Sequence, residues 1–357
     1  MGLRSTIKKF FFKKKINRLA SNAKYIHLMF NDKFNKPFVD FLNRCYDTRD
    51  HLVLCKNVLN FPIPTGNNVV SVTKFALLNL NLFEAKIICH SLFDQEAVSI
   101  FAGNSAILER TMWVIWGGDL YSAPTDVMNT YVRENFGGYV CLQKGDEAEL
   151  RKRYRIKNDI VKAAPPAFPI TLEMLKIAKE KVKKSELIRI QVNNSADKST
   201  LDILDVLSRF RDENIMVTTV VSYGDDEYAN EIISKGKALF GSKFEYLSSI
   251  LEPQDFANYI ASNDILVLAQ ERQRGGGNFL IASILGLKTF IRSDVTSFKD
   301  YSEMGIQIED SLKIKNMNFS TFISFDPQTA AVHAKILSPI FTDEYLKVQW
   351  DKIYDNV

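Results

Sequence analysis

The clearest chemical signal in this sequence is a glycine-rich loop in its second half. Residues 270–278 read QERQRGGGN, follow the apolar run Ile265–Ala269 and precede an apolar segment that we predict to be helical. Three consecutive glycines let backbone N–H groups approach an anion, and the following helix N-terminus adds partial positive charge. We therefore predict a diphosphate site, with a flexible surface turn as the alternative. The predicted ligands are Arg272, Arg274, Gly275, Gly276, Gly277 and Asn278.

This loop differs from two familiar nucleotide-binding motifs. Gly275 and Gly277 satisfy G-x-G, but Leu280 stands where the dinucleotide fingerprint requires a third glycine. The chain also has no G-x-x-x-x-G-K-[ST] motif. A nicotinamide-dependent oxidoreductase and a P-loop nucleotidase are therefore both disfavoured.

Two further loops follow apolar strands in the same half of the chain. Asn193, Asn194 and Ser195 come after the first of these strands, where they either contact a nucleotide or cap the next helix. Tyr223 follows the next strand and either stacks on a base or closes a turn. We predict that these residues bind the nucleotide.

The first half of the chain offers two candidates for a general base. Asp119 follows the apolar run Thr111–Trp116 and two glycines, and a carboxylate facing a cleft can accept a proton. His90 ends another predicted strand and is the second candidate. Each has a structural alternative, Asp119 as a helix cap and His90 as a core histidine.

Neither a metal site nor a bound cofactor is predicted. The four histidines are His27, His51, His90 and His333, too far apart in sequence to form a local ligand pair. The chain also lacks a D-x-D triplet, so the sequence offers no local pair of carboxylates for a metal ion.

The N-terminal 24 residues form a basic arm on a mildly acidic body. They hold eight basic and no acidic residues, which leaves 38 basic and 42 acidic residues in the rest of the chain. Lysines beside phenylalanines suit an anionic membrane surface. A solvated tail and a nucleic-acid patch are the alternatives, and the acidic body disfavours the second. The predicted membrane-binding residues are Lys8, Lys9, Phe10, Phe11, Phe12, Lys13, Lys14 and Lys15.

Short apolar runs alternate with amphipathic segments along the rest of the chain, which predicts an α/β protein with parallel strands. A proline cluster at 163–169 separates two such series. We therefore predict an N-terminal Rossmann-like domain over 25–165, a linker over 166–186 and a C-terminal Rossmann-like domain over 187–326. Aromatic-rich helices are predicted over 327–357, after the arm at 1–24 and the two domains.

The order of these motifs resembles the TDP-N-acetylfucosamine:lipid II N-acetylfucosaminyltransferase family, glycosyltransferase family 56. The family's IWGADLY-like, GNSGD-like and RQQGxG-like stretches match IWGGDLY at 115–121, NNSAD at 193–197 and RQRGGG at 272–277. Asn35, His90, Phe168, Pro169 and Tyr223 also match family residues.

The resemblance implies a GT-B fold, in which two Rossmann-like domains face a central cleft. It places the nucleotide-sugar donor on the C-terminal domain and the acceptor on the N-terminal one, where we assign Asn35 and Trp116 to acceptor binding. It implies no metal and no other cofactor, and a final helix that can cross back to the first domain.

The implied reaction moves an amino-deoxy-hexose onto a polyprenyl-diphosphate-linked oligosaccharide during bacterial surface polysaccharide synthesis. The implied donor is similar to TDP-4-acetamido-4,6-dideoxygalactose, with a UDP-sugar as the second option. Such an enzyme works peripherally at the cytoplasmic face of the inner membrane. The alternative is a non-catalytic glycan-binding or scaffold protein of the same fold.

The sequence departs from the family pattern at three places. The basic arm is an addition, Asn278 replaces a Thr-like position, and Val114 replaces a His-like one. These changes leave the fold and the diphosphate site intact, but they leave open the sugar, the acceptor and the pathway: enterobacterial common antigen, O-antigen or capsule.

Overall fold

The computed structural model describes residues 14, 16–58, 61–74, 84–163, 168–182 and 186–355. The chain divides into two compact units. The first comprises Met1–Pro169 and Thr342–Val357, and the second comprises Ile170–Phe341. The second unit is therefore inserted into the sequence of the first.

The elements alternate between strands and helices, as the sequence predicts. The strands are β1 Tyr25–Phe30, β2 His51–Lys56, β3 Val69–Val72, β4 Lys86–His90, β5 Thr111–Ile115, β6 Gly138–Cys141, β7 Ile160–Lys162, β8 Ile188–Val192, β9 Ile215–Val220, β10 Phe244–Leu247, β11 Ile265–Leu268, β12 Lys288–Ile291 and β13 Glu309–Asp310. The helices are α1 Asn35–Cys45, α2 Gln95–Ala102, α3 Ser105–Glu109, α4 Gly118–Tyr121, α5 Val127–Glu134, α6 Lys144–Arg153, α7 Leu172–Lys181, α8 Lys198–Leu207, α9 Asp226–Phe240, α10 Pro253–Ala261, α11 Gly276–Leu285, α12 Thr296–Glu303, α13 Phe319–Ile323, α14 Pro327–Leu337 and α15 Asp343–Asp355.

In the described part of the first unit, seven parallel strands form one sheet in the order β3-β2-β1-β4-β5-β6-β7. Strand β5 is buried along its whole length, as a parallel strand covered on both faces must be. The chain leaves β1 toward one edge of the sheet and returns to β4 on its other side. The switch point of this sheet therefore lies between β1 and β4, where open α/β sheets bind ligands.

The described part of the second unit repeats this plan with six parallel strands in the order β10-β9-β8-β11-β12-β13. Its switch point lies between β8 and β11. The loops that follow these two strands carry the NNSAD and QERQRGGGN segments of the sequence. The fold thus brings together, at one edge of a sheet, two segments more than 70 residues apart.

The unit boundaries differ from the predicted domain boundaries at both ends of the second unit. Residues 170–182, predicted as linker, include helix α7, which packs against α10 of the second unit. Helix α14, predicted as part of a separate C-terminal segment, packs against α11 in the same unit. Helix α15 belongs to the first unit, where the Trp350 ring contacts the Phe38 ring and Arg44 pairs with Asp343 at 2.6 Å.

The predicted membrane-binding residues lie outside the described residues, except for Lys14, which is exposed. The arm predicted over 1–24 is too long, because residues 16–20 are helical and Ile16 and Ala20 are buried in the core of the first unit. Among the described helices, none has the length and apolar character needed to cross a membrane.

Candidate functional site

Asn193 joins the two loops at the switch point of the second unit. It has a left-handed backbone with φ of 47°, which turns the chain sharply at the end of β8. Its side-chain oxygen accepts a hydrogen bond from the Ala269 backbone N–H at 2.8 Å. Its amide nitrogen donates to the hydroxyls of Ser199 and Thr200 at 3.0 and 2.9 Å. Asn193 is fully buried and therefore shapes the site from beneath.

A polar network above Asn193 positions one arginine of the glycine-rich loop. Arg274 donates to the Ser195 hydroxyl at 3.0 Å and to the Asp197 carboxylate at 2.9 Å. Gln270 donates to Asn194 Oδ1 at 3.0 Å and to the Ser195 hydroxyl at 3.2 Å. The guanidinium is about one-quarter exposed, so it keeps access to a ligand while its position is fixed.

Gly275 allows the glycine-rich loop to approach the NNSAD loop. Its φ of +73° is left-handed, and a Cβ there would lie 3.1 Å from Asn194 Nδ2. Helix α11 begins at the next residue with no side-chain cap, and its first intrahelical bond runs from the Phe279 N–H to the Gly275 carbonyl. The N–H groups of Gly276, Gly277 and Asn278 therefore precede the first helical hydrogen bond and suit an anion.

The other predicted donor residues lie around this network. Arg272 is half-buried, and its guanidinium donates to the Gln273 carbonyl at 3.3 Å. Asn278 lies within the first turn of α11 rather than in the loop. The Tyr223 ring is 59% exposed, and its carbonyl accepts a 2.7 Å hydrogen bond from the Ala196 N–H. Tyr223 therefore lies beside the NNSAD loop.

Two residues that the sequence did not assign to the site complete the network. Gln270 is the second residue after β11, and its Oε1 is buried without a hydrogen-bond partner among the described residues. Asp197 precedes helix α8 but does not cap it with its side chain; it accepts instead from Arg274 and Ser199. Both residues could have been identified from the sequence, because they lie in the loops that directly follow the switch-point strands β11 and β8.

Asp119 lies in the core of the first unit and does not face a cleft there. Its side chain is fully buried, with Oδ2 accepting from the Leu92 N–H at 3.0 Å and from the Trp113 indole at 2.6 Å. Its Oδ1 accepts from the Trp116 N–H at 2.9 Å. Burial raises the pKa of this carboxyl, and the three donors oppose that rise. This geometry favours a structural role for Asp119 over the predicted role as base.

His90 belongs to a chain of three buried histidines. Its Nε2 lies 3.0 Å from Nδ1 of His27, and Nε2 of His27 lies 3.0 Å from Nδ1 of His51. Burial lowers the pKa of His90 to about 3 and that of His51 to about 4, so the imidazoles are neutral at pH 7. His90 Nδ1 is buried and has no hydrogen-bond partner among the described residues. The parallel register of β1, β2 and β4 brings these distant residues together.

The two predicted acceptor residues differ in exposure. Asn35 is buried, and its amide lies 3.9 Å from Cys55 Sγ. The Trp116 ring is half-buried at the carboxyl end of β5, with its centroid 5.3 Å from that of Phe34. Trp116 therefore remains the better placed of the two for a ligand.

The described residues include no group of three or more His, Cys, Asp or Glu side chains that could hold a metal ion. No curated relative matches the chain.

Several solved glycosyltransferases share the fold at low sequence identity. Sucrose-phosphate synthase from Thermosynechococcus elongatus superposes with a TM-score of 0.67 at 10% identity, over 93% of this chain and 98% of its own. The UDP-forming trehalose-phosphate synthase from Burkholderia xenovorans gives 0.68 at 9% identity, over 94% and 98%. Anabaena HepE, solved with UDP and glucose, gives 0.62 at 13% identity, over 94% and 100%.

These likenesses show that the chain has the GT-B fold predicted from its sequence, and fold alone does not fix an activity. The family description that matches residues 72–355 reads 4-alpha-L-fucosyltransferase, glycosyl transferase group 56. The match includes the IWGGDLY, NNSAD and RQRGGG stretches and confirms the resemblance on which the sequence analysis relied. The chain is thus a glycosyltransferase and belongs to family 56.

Proposed function

We propose that this enzyme transfers an amino-deoxy-hexose from a TDP-sugar similar to TDP-4-acetamido-4,6-dideoxygalactose. The acceptor is an oligosaccharide linked to polyprenyl diphosphate, and the product serves a bacterial surface polysaccharide such as enterobacterial common antigen, O-antigen or capsule. Membership of family 56 supports this reaction and favours an enzyme over a non-catalytic glycan-binding protein. UDP bound to Anabaena HepE supports a nucleoside diphosphate as the leaving group.

The observation that carries the proposal is the cradle formed by Arg274, the Gly276 and Gly277 N–H groups and the open start of α11. Transfer breaks the bond between the sugar and the diphosphate, so negative charge develops on the leaving oxygen. N–H donors and a guanidinium that are fixed before the donor binds would stabilise this charge with little reorganisation. Because Asp197 and Ser195 hold Arg274 before the donor arrives, little conformational entropy is lost on binding.

The basic arm supports a lipid-linked acceptor, since it would hold the enzyme at the membrane surface where that acceptor resides. In the described part of the arm and its continuation, Lys14, Arg18 and Lys24 line one open cavity of about 910 Å³. Lys24 pairs with Asp50 at 2.7 Å. A cation that lies near an anionic membrane surface without such a pairing contributes about 1 kcal/mol of attraction. We place the enzyme peripherally on the cytoplasmic face of the inner membrane.

A thermal-shift panel with TDP, UDP, GDP, ADP, CMP and NADH, each with and without EDTA, tests the donor. A ligand at 100 times its Kd stabilises the folded protein by about 2.7 kcal/mol. We expect a selective TDP shift that EDTA does not change. Release of TDP from TDP-4-acetamido-4,6-dideoxygalactose in the presence of a polyprenyl-diphosphate-linked glycan then tests the transfer. A shift with UDP alone contradicts the proposed nucleotide, and a shift abolished by EDTA contradicts metal independence.

A further inference from the structure

The switch point of the first unit is the place where an open α/β sheet of this order would bind a ligand, and a base for the acceptor hydroxyl can lie there. The two strands that flank this point are β1 and β4, and the acidic side chains that follow them are Asp32, Asp94 and Glu96. Asp119 follows the next strand, β5. A general base needs a carboxylate oxygen that a hydroxyl can reach. The hydrogen bonds of these four carboxylates therefore distinguish among them.

Three of the four carboxylates are committed to other partners. Both oxygens of Asp119 accept hydrogen bonds in the core. Asp94 and Glu96 share the ammonium of Lys56, with the Glu96 contact at 2.8 Å. The second oxygen of Asp94 caps helix α2 by accepting from the Glu96 N–H at 3.0 Å. Protonating any of these groups would break an existing ion pair or a buried hydrogen bond.

Asp32 is different because only one of its oxygens is engaged. Its Oδ1 accepts from the Phe34 N–H at 2.9 Å, while within the described residues no hydrogen bond or ion pair reaches Oδ2. The side chain is half-buried, and this burial raises the pKa of the carboxyl, against the Phe34 N–H and the neighbouring Lys33 ammonium, which lower it. A carboxylate with a raised pKa is a stronger base than an ordinary surface carboxylate.

The loop that carries Asp32 is held rigidly from below. The side chain of Asn31 is fully buried and donates to the Phe61 carbonyl at 2.7 Å and to Asn57 Oδ1 at 2.9 Å. Its own oxygen accepts from the Val58 N–H at 2.7 Å. Two residues after Asp32, the Phe34 ring packs against Trp116 at a tilt of 46°, and an aromatic face of this kind suits the C–H face of a sugar ring.

We propose that Asp32 is the catalytic base of this glycosyltransferase. In the transfer step, the acceptor oxygen forms a bond to the anomeric carbon of the donor sugar and gives its proton to Oδ2 of Asp32. The bond from that carbon to the diphosphate oxygen breaks, and its electron pair leaves with the nucleoside diphosphate. This inference rests on the proposed transfer to a hydroxyl acceptor, but not on the identity of the donor sugar.

Replacing Asp32 by Asn tests the proposal, because the amide keeps the shape and the acceptor for the Phe34 N–H but is no longer a base. We expect kcat to fall by about 10²- to 10⁴-fold while the donor KM and the nucleotide thermal shift stay close to wild type. Asp40→Asn is the matched control. Asp40 is an exposed carboxylate on α1 that pairs with Lys36 at 2.5 Å, and replacing it by Asn should change kcat less than threefold.

Asp119→Asn provides a second comparison, since it removes an acceptor from a fully buried network. We expect this variant to lower the melting temperature, whereas Asp32→Asn should not. A kcat of Asp32→Asn within threefold of wild type overturns the proposal. So does an Asp119→Asn variant with unchanged melting temperature and a selective loss of kcat, which would assign the base to Asp119 instead.

The assay uses TDP-4-acetamido-4,6-dideoxygalactose and UDP-N-acetylglucosamine in parallel. A wild-type enzyme that consumes only the UDP-sugar contradicts the proposed donor. The comparison of Asp32→Asn with Asp40→Asn then proceeds with that sugar, so failure of the donor assignment and failure of the base assignment are distinguishable.

Discussion

Arg274 differs from a solvated surface arginine because two side chains fix it before any ligand arrives. The hydrogen bonds to Ser195 and Asp197 hold the guanidinium at the switch point, beside the start of α11. A charge-assisted hydrogen bond to a diphosphate contributes about 1.5–3 kcal/mol. The contribution of this residue to donor binding can therefore be measured by substitution.

We expect Arg274→Ala to weaken nucleotide binding about 10- to 100-fold and to lower kcat as well, because the same charge assists departure of the diphosphate. Isothermal titration with TDP and initial-rate kinetics measure the two effects. Arg211→Ala is the control, since Arg211 is an exposed arginine of the same unit whose nearest acidic partner is Asp212 at 3.9 Å. Equal nucleotide affinity in Arg274→Ala and Arg211→Ala would remove Arg274 from the site.

At the level of elements, the histidine chain links three adjacent strands of the first sheet. His51, His27 and His90 lie on β2, β1 and β4, and the hydrogen bonds between their rings cross the sheet. The aromatic rings of Phe38 and Trp350 pack against His90, so the chain also connects the sheet to helices α1 and α15. All three imidazoles must remain neutral in the folded state, since burial lowers the pKa of each.

The sign of the pH dependence follows from these lowered pKa values. Below pH 6.5 the histidines of the unfolded chain bind protons, while those of the folded chain do not. The free energy of unfolding therefore decreases as the pH is lowered, until the pH reaches the folded pKa values of about 4 for His51 and about 3 for His90. Each histidine contributes about 1.4 kcal/mol between pH 7.5 and 5.5. We expect the three histidines together to lower the free energy of unfolding of the first unit by up to about 4 kcal/mol over this range. Carboxyl groups with raised pKa values, such as those of Asp32 and Asp119, act in the opposite direction.

Tryptophan fluorescence during urea unfolding measures this loss, because all three tryptophans, Trp113, Trp116 and Trp350, lie in the first unit. His51→Gln should reduce the difference in the free energy of unfolding between pH 7.5 and pH 5.5 by about 1.4 kcal/mol. His333→Gln, in the second unit, is the control and should leave the tryptophan signal unchanged. If the unfolding free energy of His51→Gln depends on pH as that of the wild type does, the histidine chain does not control stability in acid.

The sequence predicts elements well where an apolar run meets a clear boundary. The runs YIHLMF at 25–30 and FEYL at 244–247 lie between polar segments and predict strands, and the structure has β1 and β10 over those same residues. Helix α6 cannot be recognised from its sequence pattern, because Leu150 and Asp146 are its only buried residues and leave almost no amphipathic pattern. Helix α7 was missed because the proline cluster before it suggested a linker.

The candidate site was predictable where its residues follow switch-point strands. The diphosphate loop and the NNSAD loop were identified from glycines and polar side chains in sequence, and the structure brings them within hydrogen-bond distance of each other. The histidine chain could not be predicted, because it depends on the register of three strands. Asp32 was not identified either, since its free oxygen is distinguishable from the paired oxygens of Asp94 and Asp119 only when the contacts are known.

At the scale of the whole molecule, charge is concentrated in the basic arm, whereas the remainder of the chain carries more acidic than basic residues. Such an arm binds an anionic surface through electrostatic attraction, which salt screens over about 8 Å at physiological ionic strength. Membrane binding and catalysis should therefore be separable.

We expect deletion of residues 1–13, which leaves the buried core residues Ile16 and Ala20 in place, to weaken sedimentation with vesicles of phosphatidylglycerol strongly and to leave the nucleotide thermal shift unchanged. Added salt should weaken vesicle binding by the full-length protein, and vesicles of phosphatidylcholine alone provide the control. Sedimentation of the truncated protein to the same extent as the full chain would disprove the electrostatic anchor.

The insertion of the second unit into the first has a consequence for biosynthesis. A ribosome releases the chain from its N-terminus, so every residue of the second unit emerges before helix α15 does. Until then the rings of Phe38 and His90 lack the Trp350 side chain that packs against them in the finished protein. The unit that carries the diphosphate loop can therefore mature first, while the unit that begins the chain waits, with part of its apolar core uncovered, for the last helix to be made.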